Sequence, residues 1–283
     1  MDCRKCANEQ GICQYHRVNR AAKLIQDLYF VLRDHTYGYH LILERVDVRP
    51  DKVFICIGAK DQSEWTIGKF PDDRNPSGSE EAKRGALARQ MCTRVLVDMY
   101  SLLDTVLQRL CDEPVEIQRL VVLDRDDLPR PAIRVENNGM CWDNPGHEVI
   151  SGMVDGQHYA IDLTGAQYGW YEPLCSWDTL ISDRIRRLKS TVELTHYTPN
   201  GLAASLIEEG EGETRRTTVR VRKAMLYAVD EWAQPQNACD RLIGMLALAE
   251  MQYQVENSRL MEKVRKAVEE QAKEEYDAQK RAS

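Results

Sequence analysis

The sequence predicts an α+β protein in which a buried helix packs on an antiparallel sheet, with helical additions at both ends. Three observations carry that prediction. Residues 80–110 show an apolar face at helical spacing, residues 147–164 read as two strands joined by Asp155-Gly156, and residues 256–281 are highly charged with a thin apolar stripe.

The first element, NRAAKLIQDLYFVL at residues 19–32, places Ala21, Leu24, Ile25, Leu28 and Leu32 on one stripe and predicts a helix. LILERVDV (41–48) and KVFICIGA (52–59) follow as strands, with Arg49-Pro50-Asp51 between them as turn chemistry. They predict a hairpin. PDDRNPSGSE (71–80) reads as a loop ending in the helix-capping residue Ser79. From residue 80 to 110, Leu87, Met91, Val95, Met99, Leu102, Leu103, Val106 and Leu110 recur at threes and fours, and Gly85 is the expected point of division.

Strands are expected at 117–124, 132–136, 147–154 and 158–164, the last two joined by the Asp-Gly pair that favours a tight hairpin turn. A helix is expected near 178–189. The polar, glycine-containing stretch 207–216 reads as a linker, and helices are expected over 219–232 and from 239 to the end. The organisation this implies is an N-terminal segment (1–18), an α+β core (19–200) and a helical C-terminal region (201–283).

Composition narrows the function. The chain has 283 residues, 43% hydrophobic and 29% charged, which suits a globular protein with a real core. Its net charge of -7 supplies no electropositive footprint, so nucleic acid is not expected as a partner. No apolar run approaches the roughly 18 to 20 residues of a membrane span, so no membrane partner is expected either. Nine cysteines, an odd number, behind an N-terminus without an apolar leader predict reduced thiols and a cytoplasmic location. No GxxxxGKS, GxGxxG, GxSxG or HExxH motif occurs, which sets aside several large enzyme classes.

Chemistry concentrates in GHEVISGMVDGQHYAIDLT, residues 146–164. His147 opens one strand and Asp162 closes the next, fifteen residues later across the tight turn. The open ends of a hairpin lie side by side, so the carboxylate can orient the imidazole as in the supporting half of a nucleophilic triad. The plainer alternative is a strand-edge histidine beside a turn-capping aspartate.

On these residues the sequence resembles the transglutaminase-like branch of the papain-like cysteine superfamily, over roughly residues 85–170. His147, the Asp155-Gly156 turn and the Asp162-Leu163-Thr164 triplet carry the resemblance. It implies a cysteine nucleophile at the start of a buried helix upstream, and Cys92 is the best match, with Cys111 and Cys141 as rivals and a core thiol as the plain alternative. A family-like oxyanion donor would come from the Cys92 backbone, Gln90 or Trp65. The implied activity is thiol-dependent acyl chemistry on an amide, ester or thioester of a small molecule or peptide. HRVNRAAKL and AIDLTGAQYGW also resemble uncharacterised fungal proteins, which implies a setting in natural-product assembly.

Other residues allow further readings. Tyr168, Trp170, Tyr171 and Trp177 follow Asp162 and are expected either to wall a substrate pocket or to pack on the next helix. Cys3, Cys6, Cys13 and His16 have the donor chemistry of a closed structural zinc site, or belong to a flexible terminus. The acidic group at 123–131 and the arginines at 184–187 read as solvated charge. The competing class is a non-catalytic interaction or scaffold protein, with self-association through the charged C-terminal helix.

Overall fold

Helix α1 (Gln14–His35) runs longer at both ends than the 19–32 stripe predicts, and its inward face is Val18, Ala21, Ala22, Leu24, Ile25, Leu28, Tyr29 and Leu32. Arg33 and His35 in the last turn suit the negative end of the helix dipole. The computed structural model describes residues 12–38, 41–49, 52–59, 67–71, 79–89, 91–122, 133–137, 140–141, 146–201 and 212–282.

After α1 come β1 (Tyr37–Gly38), β2 (Leu41–Arg49), β3 (Lys52–Ala59) and β4 (Ile67–Gly68); β1 pairs with β4, and β2 and β3 form the expected antiparallel hairpin. A four-stranded sheet in the order β2-β3-β6-β7 is completed by β6 (Ile133–Asn137), parallel to β3, and β7 (Met140–Cys141).

Ser79 caps helix α2 (Glu80–Ala88), its hydroxyl accepting the Ala82 N–H at 3.2 Å. The helical path then breaks at Arg89–Met91, whereas Gly85 lies buried inside α2. Neither Ala88, Arg89 nor Met91 is a helix breaker by type, so tertiary packing places the break. Helix α3 (Cys92–Asp98) restarts the path, which continues through Tyr100–Leu102, a π-helical turn at Leu103–Leu107 and Gln108–Leu110.

The main sheet has five strands in the order β10-β9-β8-β5-β11, and every neighbouring pair is antiparallel. They are β5 (Glu116–Val122), β8 (Gly146–Val154), β9 (Gln157–Ile161), β10 (Leu174–Ser176) and β11 (Ile185–Glu193). The last of these corrects the helix expected at 178–189. Helix α4 (Trp177–Asp183), capped by Ser176, stops before Arg184, and the arginine-rich stretch after it pairs with β5 from Ile185↔Val122 to Glu193↔Glu116. As an edge strand, β11 leaves most of its polar side chains exposed, a pattern that reads as a helix face until its partner is known.

Three helices close the chain: α5 (Gly212–Ala233), α6 (Ala238–Leu246) and α7 (Glu250–Ala282). Helix α5 begins inside the expected linker, and α6 and α7 divide what the sequence presents as one helix. The stripe Leu260, Met261, Val264, Val268 and Ala272 of α7 joins one core with Val221, Met225 and Val229 of α5, the inward face of α1, and Ile117, Ile150 and Ile161 of the sheet. Leu120, Val149 and Ala160 pack with Leu180 of α4 and Ile185 in a second cluster. The protein is therefore α+β, with helices packed on a five-stranded antiparallel sheet. Among the described residues, no helix is long and apolar enough to cross a membrane.

Candidate active site

The hairpin β8–β9 positions two of the expected residues. Asp155 and Gly156 both take positive φ, 52° and 70°, as the two-residue turn requires, and pairing continues from Val154↔Gln157 to Ile150↔Ile161. His147 stands near the start of β8, and Asp162 follows the last residue of β9, its N–H donating to the Pro173 carbonyl at 2.7 Å. The open end of the hairpin thus brings His147 Nε2 to 2.9 Å from Asp162 Oδ1.

Asp162 is held from its own loop. Oδ1 also accepts the Thr164 N–H at 3.2 Å, while Oδ2 is buried and takes no hydrogen bond among the described residues. Gln26 of α1 reaches into the same loop and donates to the Leu163 carbonyl at 3.2 Å. Gly165 is required for space: a Cβ there would meet Asp162 Oδ2 at 2.6 Å and the Trp170 carbonyl oxygen at 2.9 Å. Sequence reading missed Gln26 and Gly165, and only the glycine directly after Asp-x-Thr offered a hint.

Cys92 is the first residue of α3, directly after the break, and is half-buried. A thiolate there gains from the N–H groups that a first helical turn leaves without intrahelical partners. Among the described residues His147 Nδ1 makes no hydrogen bond of regular geometry, but the Cys92 side chain lies close enough to act on the imidazole both as a hydrogen-bond partner and through its charge. Burial pushes the His147 pKa down, yet the charge and hydrogen bond of Asp162, followed by those of Cys92, outweigh it and raise the pKa to about 10. The imidazolium form is favoured at neutral pH. Cys92, His147 and Asp162 therefore share one site, with the imidazole interacting with both of the others.

Neither rival thiol fits as well. Cys111 follows the helical path and lies against Gly152 in the middle of β8; burial, then the charge of Asp112, pushes its thiol up to about 11. Cys141 lies in β7, opposite Glu136 in the four-stranded sheet. Gln90 and Trp65, the expected side-chain oxyanion donors, lie outside the described residues, as do Cys3 and Cys6.

A different polar group stands near the thiol. Tyr29 on α1 is fully buried, its hydroxyl makes no hydrogen bond among the described residues, and its phenol interacts electrostatically with Cys92. Burial is the main cause that pushes its pKa up, with the charges of Arg33, Asp98, Arg94 and Cys92 acting on it as well. A tyrosine in a helical stripe gives no sequence signal of this, because the thiol arrives through tertiary packing.

Of the four aromatic residues after Asp162, two reach the imidazole. A 3₁₀ turn at Gly165–Tyr168, closed by Gly169 at φ 81°, directs Tyr168 edge-on to His147 at 5.0 Å and Trp170 to 6.5 Å from it. Both are buried and pack with Val122, and the Arg184 guanidinium lies 4.9 Å from the Trp170 ring centre. Tyr171 packs against the main core, and Trp177 stacks on His158 at 4.3 Å. Cavities of about 1020 Å³, between α5 and α7, and about 620 Å³, between α6 and α7, lie among the C-terminal helices.

No protein-family model matches this chain, and neither a curated protein nor a solved structure matches it. The functional reading therefore rests on the residues themselves.

Proposed function

We propose that this chain is a thiol-dependent acyl-transfer enzyme with a transglutaminase-like core, in which Cys92, His147 and Asp162 act as a triad. The observation that carries the reading is the buried His147–Asp162 pair at 2.9 Å, with Cys92 opening a helix on the imidazole. Cys92 as thiolate attacks the carbonyl carbon of an amide, ester or thioester, and charge gathers on the carbonyl oxygen. The Cys92 N–H and the Tyr29 hydroxyl are the donors proposed for that oxygen. When the tetrahedral species collapses, the carbon–heteroatom bond breaks, and the leaving amine, alcohol or thiol takes its proton from the His147 imidazolium. The neutral imidazole then removes a proton from water or an amine, which attacks the acyl-enzyme and releases Cys92. Asp162 fixes the ring and stabilises its charge throughout.

The substrate under this reading is a small-molecule or peptide acyl compound, acted on in the reducing cytoplasm. A second reading, a scaffold that keeps the core without the reaction, is favoured by the wide grooves among the C-terminal helices. Exposed Met251 and Val255 on α7 would give such a scaffold a place for self-association.

Timed iodoacetamide labelling at pH 7, read thiol by thiol by mass spectrometry, tests the enzyme reading. Cys92 is expected to react fastest of the nine cysteines and to slow sharply in His147→Asn. Slow labelling of Cys92, unchanged by that substitution, favours the scaffold.

A further inference from the structure

The groove of about 1020 Å³ between α5 and α7 carries a charge pattern of its own. On the α7 wall the first half presents Arg259, Lys263 and Lys266 against one carboxylate, Glu262, and the second half presents Glu270 and Glu274 and no base. These positions mirror one another about the point midway between Lys266 and Ala267. Arg259 corresponds to Glu274, Lys263 to Glu270, and Glu262 to Gln271. Side chains at one level of two antiparallel helices meet, and their charges set partner and orientation. A helix face of this kind is therefore complementary to a second copy of itself laid in the opposite direction.

The α5 wall fits the same register. Its level against α7 is fixed by two ion pairs, Lys263 Nζ 3.1 Å from Glu231 Oε2 and Arg220 Nη1 2.8 Å from Glu275 Oε2. The two helices thus run antiparallel, so an α7 laid in from a second copy runs parallel to α5. It brings the partner's Glu262 level with Lys223 and the partner's Lys266 level with Tyr227. Tyr227 is 67% exposed, and a lysine stem and ammonium across its ring would cover it and add a cation–π contact. Ala224, Ala228 and Ala267 keep the floor of the groove low enough for a helix to approach.

Contacts within the chain leave these charges available. Lys263 and Glu231 keep 41% and 70% of their side chains exposed, and Arg259, 2.7 Å from Glu256, keeps 67%. Ion pairs so exposed hold their members weakly. A uniformly acidic or basic partner would match one end of the face and be repelled at the other. A partner whose charges run in the reverse order matches both ends, and α7 of a second copy, run backwards, has that order.

We propose that two copies of this chain form a dimer in which α7 of each lies antiparallel in the α5–α7 groove of the other, on a two-fold axis between Lys266 and Ala267. The contact is isologous, so every pairing occurs twice. Arg259 meets Glu274 of the partner subunit, Lys263 meets Glu270 of the partner subunit, and Lys223 meets Glu262 of the partner subunit. From Arg259 to Glu274 the helix contributes about 23 Å of contact. No residue of the candidate active site lines this groove, and Met251 and Val255 border the other one. The dimer is therefore independent of whether Cys92 reacts.

Analytical ultracentrifugation of the full-length chain over roughly 1–100 μM is expected to show the mass rising from 32.6 kDa to twice that. In ~1 M salt, which screens exposed charges beyond about 3 Å, the dimer is expected to weaken on the order of tenfold. The Arg259→Glu/Lys263→Glu and Glu270→Lys/Glu274→Lys variants each place like charges at both mirrored pairs and are expected to stay monomeric. Mixed in equal amounts, they restore opposite charges at every one of those pairs and are expected to dimerise one to one. As a measurement that needs no charge reversal, mild oxidation of Ala267→Cys is expected to join two chains through the introduced thiols, located by mass spectrometry. A monomeric unsubstituted chain or a failure of the introduced thiols to join overturns the proposal. A dimer kept by either reversed variant, or a mixture of the folded variants that does not reassociate, overturns it as well.

Discussion

His147 Nε2 and Asp162 Oδ1 stand 2.9 Å apart with both side chains fully withdrawn from water. Such burial is costly for either charge alone, and it is tolerated only when partner and geometry offset the lost hydration. Here the hairpin register brings the groups together and the Thr164 N–H holds the carboxylate. The outcome is an imidazolium kept charged inside the protein and turned toward a thiol.

Removing the aspartate charge tests that coupling. In Asp162→Asn the imidazole loses the strongest influence raising its pKa, and burial then favours the neutral ring. Acyl-transfer rate is expected to fall ~10²–10⁴-fold, and iodoacetamide labelling of Cys92 at pH 7 to slow. Asp162→Ala, which also removes the hydrogen-bond partner and leaves a buried ring nitrogen unsatisfied, is expected to cost ~1–3 kcal/mol in urea unfolding. Cys92 labelling that is unchanged in Asp162→Asn would show that the carboxylate does not act through the ring.

The same pair makes stability depend on pH. The His147 pKa is raised, so its contribution is full below the ordinary histidine pKa of ~6.5. It shrinks above that value and is gone once pH passes about 10. Urea titrations from pH 6 to 11 are expected to show the unsubstituted chain losing stability more steeply than His147→Gln, the two curves converging at the alkaline end. Parallel curves across the range would remove the raised pKa from the account.

Gly165 makes a steric prediction. A methyl group there meets the buried Asp162 Oδ2 at 2.6 Å, on a carboxylate held by His147 and the Thr164 N–H, and a backbone oxygen at 2.9 Å. Gly165→Ala is expected to destabilise by ~1–3 kcal/mol and to slow Cys92 labelling by displacing the carboxylate. Gly156→Ala is the comparison: its φ of 70° is unfavourable for alanine, but nothing lies within 4 Å of the added methyl. That variant should lose ~1–2 kcal/mol through backbone strain and leave Cys92 labelling unchanged.

These positions differ in how far local sequence could reveal them. The His147–Asp162 pairing was legible because Asp155-Gly156 fixes a two-residue turn, and the turn fixes which residues meet at the open end. The start of α3 at Cys92 was not, since helix-forming residues precede it and packing makes the break. Strand β11 was misread for a related reason: Arg, Leu and Lys suit a helix, and its pairing with β5 joins residues far apart in sequence. Tyr29 lies outside the stripe that the spacing of residues 19–32 predicts, and its closeness to the thiol depends on how α1 lies against α3.

Tyr29 separates catalysis from folding. Its hydroxyl is buried without a hydrogen bond among the described residues, and such a group opposes stability through its lost hydration. Tyr29→Phe removes the hydroxyl and keeps the ring that packs in the core. Stability is therefore expected to stay level or rise by ~1 kcal/mol. If the hydroxyl donates to the oxyanion as proposed, the acyl-transfer rate should drop ~10²–10³-fold, with iodoacetamide labelling of Cys92 nearly unchanged because alkylation forms no oxyanion. Loss of rate with retained labelling and stability assigns the hydroxyl to the transition state. An unchanged rate leaves the Cys92 N–H as the donor, and slower labelling would mean that Tyr29 acts on the thiol itself.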